Sequence, residues 1–282
     1  MPDATQVSNL SDGLVVVPDL YFPEGLRWHA GFLWYSDVFG RIVGRLEPTG
    51  PKTVARVEGM PSGLGWTPDG TLLVVSMTDR AIMSVASDGR VSLYADLSGV
   101  ISQLANDMVV DAHGRAYVGN YGFDVDAGAA PAPTRLVRVD PDHSIHIEEP
   151  ELMFPNGMVL VDGGTRLLVA ETFGERVTTL SVASDGTLTD PTVLIELPPG
   201  SGPDGIAVDR QGRVWIPCAY GSRALAVTRD GHIQAEIVGQ GVGVNCCAVG
   251  GEDGQTLFVA VAPIDEVEAA SSPAGRIVAF DL

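Results

Sequence analysis

Asn156-Gly157-Met158-Val159-Leu160, then the turn Asp162-Gly163-Gly164, then Arg166-Leu167-Leu168-Val169-Ala170: this stretch decides the fold. It reads as a polar residue, a small residue, an apolar strand, a tight turn and a second apolar strand. The same phrase opens at Glu24-Gly25-Leu26, Ser62-Gly63-Leu64, Asn106-Asp107-Met108 and Asp204-Gly205-Ile206, with a weaker copy at Asn245-Cys246-Cys247. The starts at 24, 62, 106, 156, 204 and 245 are separated, by subtraction, by 38, 44, 50, 48 and 41 residues. All-strand units of about 40 to 50 residues are the signature of propeller blades. Within each unit a third strand alternates in polarity, as in Arg41–Leu46, and a more polar fourth strand ends it, as in Arg90–Tyr94. The chain is therefore predicted to be all-β: a six-bladed β-propeller with four antiparallel strands per blade.

The sixth unit ends at Gly275–Asp281 with a third strand and no fourth, while Gly13–Pro18 precedes the first unit as an orphan strand. The N-terminal strand is predicted to join the last blade and close the ring, which removes two sheet edges. Residues 1–282 then form a single propeller domain. Ile264–Ala270 is the only candidate helix.

Bulk composition excludes several function classes. The formal charge of −19 repels phosphate backbones, so nucleic acid is not an expected partner. There is no run of 18 apolar residues and no membrane partner is expected. Met1–Asp12 has neither a basic start nor an apolar stretch, so no secretory leader is expected. Three cysteines, two of them adjacent, make no disulfide framework, and a cytoplasmic protein is expected. A monomer or small homo-oligomer is consistent with this composition. Cys246 and Cys247 read as small core residues.

In a ring of blades, equivalent positions converge on the axis. The six recurring polar residues are Glu24, Ser62, Asn106, Asn156, Asp204 and Asn245, all oxygen-bearing. Asn-Gly and Asp-Gly pairs are also common turn formers, so each alone could cap its own turn. Four at one repeat position, one of them a Glu, point instead to a hard divalent cation held by Glu24, Asn106, Asn156 and Asp204. Two carboxylates at one axis repel, and a cation holds both ionised. Histidines 29, 113, 143, 146 and 232 fall at the opposite mouth or in outer strands, so none reads as an axial base. No nucleophile elbow, P-loop or dinucleotide fingerprint occurs. A metal is left as the evident electrophile: it could polarise a carbonyl and acidify water, with an Asp to position or deprotonate that water. The loops from second to third strands return to the same mouth and carry Phe39, Tyr121, Phe123, Phe173 and Tyr220, an aromatic rim. Thr78-Asp79-Arg80 and Glu171 also reach this mouth, where a local ion pair or turn is expected.

Four pieces in order, Pro23-Glu24-Gly25, Asn106-Asp107 with Val110–Arg115, Pro155-Asn156-Gly157-Met158 and Pro203–Asp209, resemble the family of gluconolactonase, regucalcin (senescence marker protein) and the luciferin-regenerating enzyme. The resemblance spans about Pro23 to Leu282. It implies Glu24, Asn156 and Asp204 as direct metal ligands and Asn106 as a contact to metal, water or substrate. It implies Asp204 as the general base of lactone hydrolysis, with calcium or zinc bound, or magnesium or manganese in their place. One departure matters. Sugar-lactone members carry an Arg two residues before the Asn, and this chain has Leu104; Tyr121 and Phe123 stand where their Gly-Thr-Met segment lies. A lactone less polar than an aldonolactone is the expected substrate, with Asn106, Leu104, Tyr121, Phe123 and Phe173 as its contacts. A non-hydrolytic metal-stabilised binding propeller, or an enzyme of other chemistry on the same scaffold, is the alternative.

Overall fold

A computed structural model describes residues 5–282. Six four-stranded antiparallel units follow one another around a ring. Blade 1 is Pro23–His29, Phe32–Asp37, Ile42–Glu47 and Gly50–Arg56; blade 2 runs from Pro61–Trp66 to Val91–Asp96. Blade 3 runs from Ala105–Val110 to Ile145–Leu152, and blade 4 from Pro155–Val161 to Leu188–Glu196. Blade 5 is Ala207–Val208, Val214–Cys218, Arg223–Val227 and Ile233–Val238. Blade 6 is Gly243–Gly250, Thr256–Ala262 and Gly275–Asp281, completed by Leu14–Leu20. The only α-helix among the described residues, Glu266–Ser271, lies in the loop between the second and third strands of blade 6.

Apolar side chains alternate along the strands and meet between the blades. Leu64 and Val74 of blade 2 pack on Trp34 and Val43 of blade 1, and Tyr117 and Leu136 of blade 3 pack on Val169 and Leu180 of blade 4. The core is thus a set of wedges between sheets. The small residue of the recurring phrase is needed at the apex of these wedges. A Cβ on Gly63 would stand 2.3 Å from the Met108 backbone nitrogen, and one on Gly157 would stand 2.4 Å from the Asp204 carbonyl oxygen. Glycine is what lets neighbouring inner strands approach at the axis.

Ring closure occurs as the orphan strand predicts, with Leu14 paired to Ala279 and Val17 to Ile277 in antiparallel register. The structure adds a strand that the repeat does not contain. Gln6–Asn9 lies parallel on the outer edge of blade 5, with Gln6 opposite Ala235. The N-terminal segment therefore straps blade 5 to blade 6. Removing residues 1–20 takes away both strands and the buried Leu10, Val17 and Leu20. Three such side chains stabilise by about 1.5–3 kcal/mol each, so the melting temperature should fall by roughly 10 °C or more. Removing residues 1–12 keeps closure and, of these three side chains, loses only Leu10, so it should cost less than half as much. Equal melting temperatures for the two truncations would show that closure through Leu14–Leu20 contributes nothing.

Candidate active site at the axis

Each inner strand carries an irregularity at the recurring phrase. Pairing shifts register between Glu24 and Arg27, Pro61 and Leu64, Ala105 and Met108, Pro155 and Met158, and Val244 and Cys246. In blade 5 the strand is interrupted outright, with Pro203 bridging to Cys218 ahead of Ala207–Val208. A bulge re-aims the side chain it carries. All six recurring residues, Glu24, Ser62, Asn106, Asn156, Asp204 and Asn245, consequently line one cavity of about 270 Å³.

The wall of this cavity follows the same repeat logic. Two residues before the polar position stand Phe22, Met60, Leu104 and Phe154 in blades 1–4, and all four line the cavity. Blades 5 and 6 have Gly202 and Gly243 there. Met60 and Phe154 hold left-handed backbone, with φ of 62° and 59°, as does Gly202 at 58°. Such a conformation costs a bulky residue of order 1–3 kcal/mol and persists where the surroundings impose it. Gly202 makes room for Tyr220, whose ring lies 2.4 Å from where a Cβ would be.

Of the sequence-predicted residues, Leu104, Tyr121 and Phe173 line the cavity with Phe39 and Tyr220. Phe123 is placed otherwise. It is buried behind the wall, with ring centroids 6.0 Å from Phe154 and 5.1 Å from Phe173. The aromatic that takes the lining place is Phe154, whose ring is tilted against Tyr121 with centroids 4.1 Å apart. Its signal was the repeat position itself, since Leu104 is its counterpart. Glu171 is fully buried and ion-paired to Arg176 at 2.6 Å, so its role is local. Asp79 likewise accepts from Ser76 Oγ at 2.7 Å. Asp111 and Asp209 accept from the backbone of their own turns and pair with Arg115 and Arg213, which makes them structural. His29 stacks on Trp66 at 4.0 Å, near the opposite mouth.

The electrostatics of the axis are strained. Burial, then repulsion from Asp107, pushes the Glu24 carboxyl up to about 8. Burial, then repulsion from Glu24 and Asp107, pushes Asp204 well above the usual carboxylate range. Beneath them Asp107 is held by Arg27, whose Nη2 donates to Asp107 Oδ1 at 2.6 Å and to the Met108 carbonyl at 2.7 Å. The hub thus sets three carboxylates against one guanidinium. Among the described residues Asp204 Oδ1 is buried without a hydrogen-bond partner. Asn156 Nδ2 donates to Thr172 Oγ1 at 3.1 Å, and Thr172 in turn donates to the Pro203 carbonyl at 2.9 Å, so Asn156 Oδ1 is the free end of its amide. An orphaned carboxylate oxygen beside a second buried carboxyl fits a hard cation, because the missing charge and the missing contact are supplied together. Among the described residues no three His, Cys, Asp or Glu side chains form a metal-ligand cluster. The donor set here is two carboxylates with amide oxygens, a mixture suited to calcium or magnesium more than to zinc.

These features define a six-bladed propeller with an acidic and amide-lined axial pocket. Residues 22–263 match the SMP-30/Gluconolactonase/LRE-like region, and the chain belongs to that family. It is 26% identical over 244 residues to Pentonolactonase XacC of Haloferax volcanii, covering 85% of this chain and 81% of that protein. It is 24% identical over 230 residues to the 6-deoxy-6-sulfogluconolactonase of Pseudomonas putida, covering 80% and 78%. Among solved structures it is similar to a calcium-binding protein, regucalcin, from Agrobacterium tumefaciens. The TM-score is 0.81 at 20% identity, over 98% of this chain and 95% of the other, a likeness of fold.

Proposed function

We propose that this protein is a metal-dependent hydrolase that opens lactones less polar than aldonolactones. The observation that carries this reading is the unpartnered, buried Asp204 Oδ1 beside Glu24 at the base of the cavity. The family relatives named as lactonases support the reaction class.

Glu24, Asn156 and Asp204, with Asn106 alongside, would hold a divalent cation, calcium first among the candidates, whose chemistry is to polarise an ester carbonyl and acidify water. Asp204, through the carboxylate oxygen that the cation leaves free, accepts the proton of the attacking water. The water oxygen bonds to the carbonyl carbon, the acyl–oxygen bond breaks, and the ring oxygen takes up the proton to give a hydroxy acid. Phe22, Met60, Leu104 and Phe154 wall the site and shield the ring from bulk water. Leu104 offers no hydrogen bond to a substrate hydroxyl, and a pocket that does not pair hydroxyls gains little from a polyol.

A panel of glucono-, alkyl- and aryl-fused lactones tests this reading. Alkyl or aryl lactones should exceed the aldonolactone in kcat/KM by about tenfold or more. A chelator should remove the activity, and added calcium should restore it. Turnover that survives thorough chelation would sink the metal role. Preference for the aldonolactone would sink the polarity assignment, and a silent panel would favour a binding protein.

A further inference from the structure

The two longest upper loops come from opposite sides of the ring. Residues 121–133 leave blade 3 and residues 263–274 leave blade 6. Both reach the cavity, the first with Val125 and Asp126, the second with Pro263, Ile264 and Glu266. Asp126 and Glu266 are close enough for Asp126 to repel the charged form of Glu266, and Asp265 adds to that repulsion. Among the described residues no cation is found acting on Glu266. Among the described residues the cavity lining contains four carboxylates, Glu24, Asp126, Asp204 and Glu266, and no Lys, Arg or His. The deeper pair is balanced when a dication is bound, and Asp107 is already balanced by Arg27. The outer pair has no such balance. The remaining wall is aromatic and aliphatic, and Tyr220 and Ile264 are exposed at the mouth.

We propose that this site selects its substrate by charge: Asp126 and Glu266 form an electrostatic filter that admits uncharged lactones with a bulky apolar substituent and turns away anionic ones. The apolar substituent rests on the arc of Phe22, Met60, Leu104 and Phe154, while phosphate, sulfonate or carboxylate groups meet repulsion with no cationic side chain to receive them. The field of the whole chain, at −19, adds to the same sign. The filter also favours departure of the product, because ring opening creates a carboxylate in front of two others. This inference rests on the lactonase reading for the identity of the substrate and on the cavity alone for its charge.

The test uses matched pairs with the full-length, calcium-loaded protein: a phenyl-substituted γ-butyrolactone against its carboxyphenyl counterpart for turnover, and the corresponding inert phenyl and carboxyphenyl γ-lactams for calorimetric binding. The neutral member should be preferred by about tenfold at low ionic strength, and the ratio should shrink as the Debye length falls from about 30 Å to 3 Å with added salt. The double substitution Asp126→Asn with Glu266→Gln should narrow the ratio by improving the anionic member. If the lactones are not hydrolysed but the lactam pair still splits and responds to salt, the lactonase reading fails and the filter stands. If neutral and anionic members bind or react equally, or the double variant leaves their ratio unchanged, the filter is overturned whatever the activity.

Discussion

Asp204→Asn yields a folded protein, more stable than the parent when both are cation-free, that has lost lactone turnover by about 10³-fold or more. The side chains match in shape, so the wall and its packing are retained. What changes is charge. In the parent, Asp204 is buried, raised by that burial and by Glu24 and Asp107, and its Oδ1 has no partner. Replacing one of two repelling buried carboxyls with a neutral amide removes that penalty. The same change removes the base that takes the proton from water and one of the carboxylates that hold the cation. The melting temperature without cation should rise, and the further rise on adding calcium should shrink or vanish. A purely structural Asp204 would give the opposite: a lower melting temperature with turnover retained in proportion to folded protein. The variant thus separates a functional carboxylate from a structural one by the sign of its stability change.

Cation dependence should itself depend on pH. Glu24 has a folded pKa of about 8 against an ordinary 4.5, a carboxyl raised by burial first and by Asp107 second. For an acid raised on folding, the native state binds the proton more tightly than the unfolded chain. Stability is then fully present below about 4.5 and is lost as pH rises towards 8. At about 1.4 kcal/mol per tenfold, that span amounts to roughly 5 kcal/mol for the cation-free protein. A bound dication reverses the situation, because it prefers the ionised carboxyls and releases their protons. Melting curves from pH 5 to 9 should therefore fall steeply with chelator and stay nearly level with excess calcium. Apparent calcium affinity should climb across the same window by about tenfold per pH unit for each proton released, and so more steeply where Glu24 and Asp204 are both protonated. Superimposable profiles with and without calcium would mean that Glu24 and Asp204 do not share a cation.

The ring and its axial residues were legible in the sequence because a repeat turns sequence spacing into spatial coincidence. Glu24, Asn106, Asn156 and Asp204 lie far apart in the chain, yet their common place in the phrase puts them in one cavity. The orphan strand was legible for a related reason, since a blade missing its fourth strand leaves one vacancy and Leu14–Leu20 fills it. The same rule also held information about the wall: Phe154 occupies the position of Leu104, one blade on.

Tertiary structure alone decided the rest, where no periodicity links the partners. Phe123 and Tyr121 sit two residues apart in a long loop, and only the packing against Phe154 and Phe173 sends one behind the wall and the other into the cavity. The pair of Arg27 and Asp107 joins residues 80 positions apart at non-equivalent repeat positions. The strap of Gln6–Asn9 on blade 5 uses an edge that any of several blades could have offered. Asp126 and Glu266 line one cavity only because loops from opposite blades reach the same mouth. A repeat fixes what is equivalent in every blade, by symmetry. What differs from blade to blade is set by long-range packing and charge, which have no echo in sequence spacing.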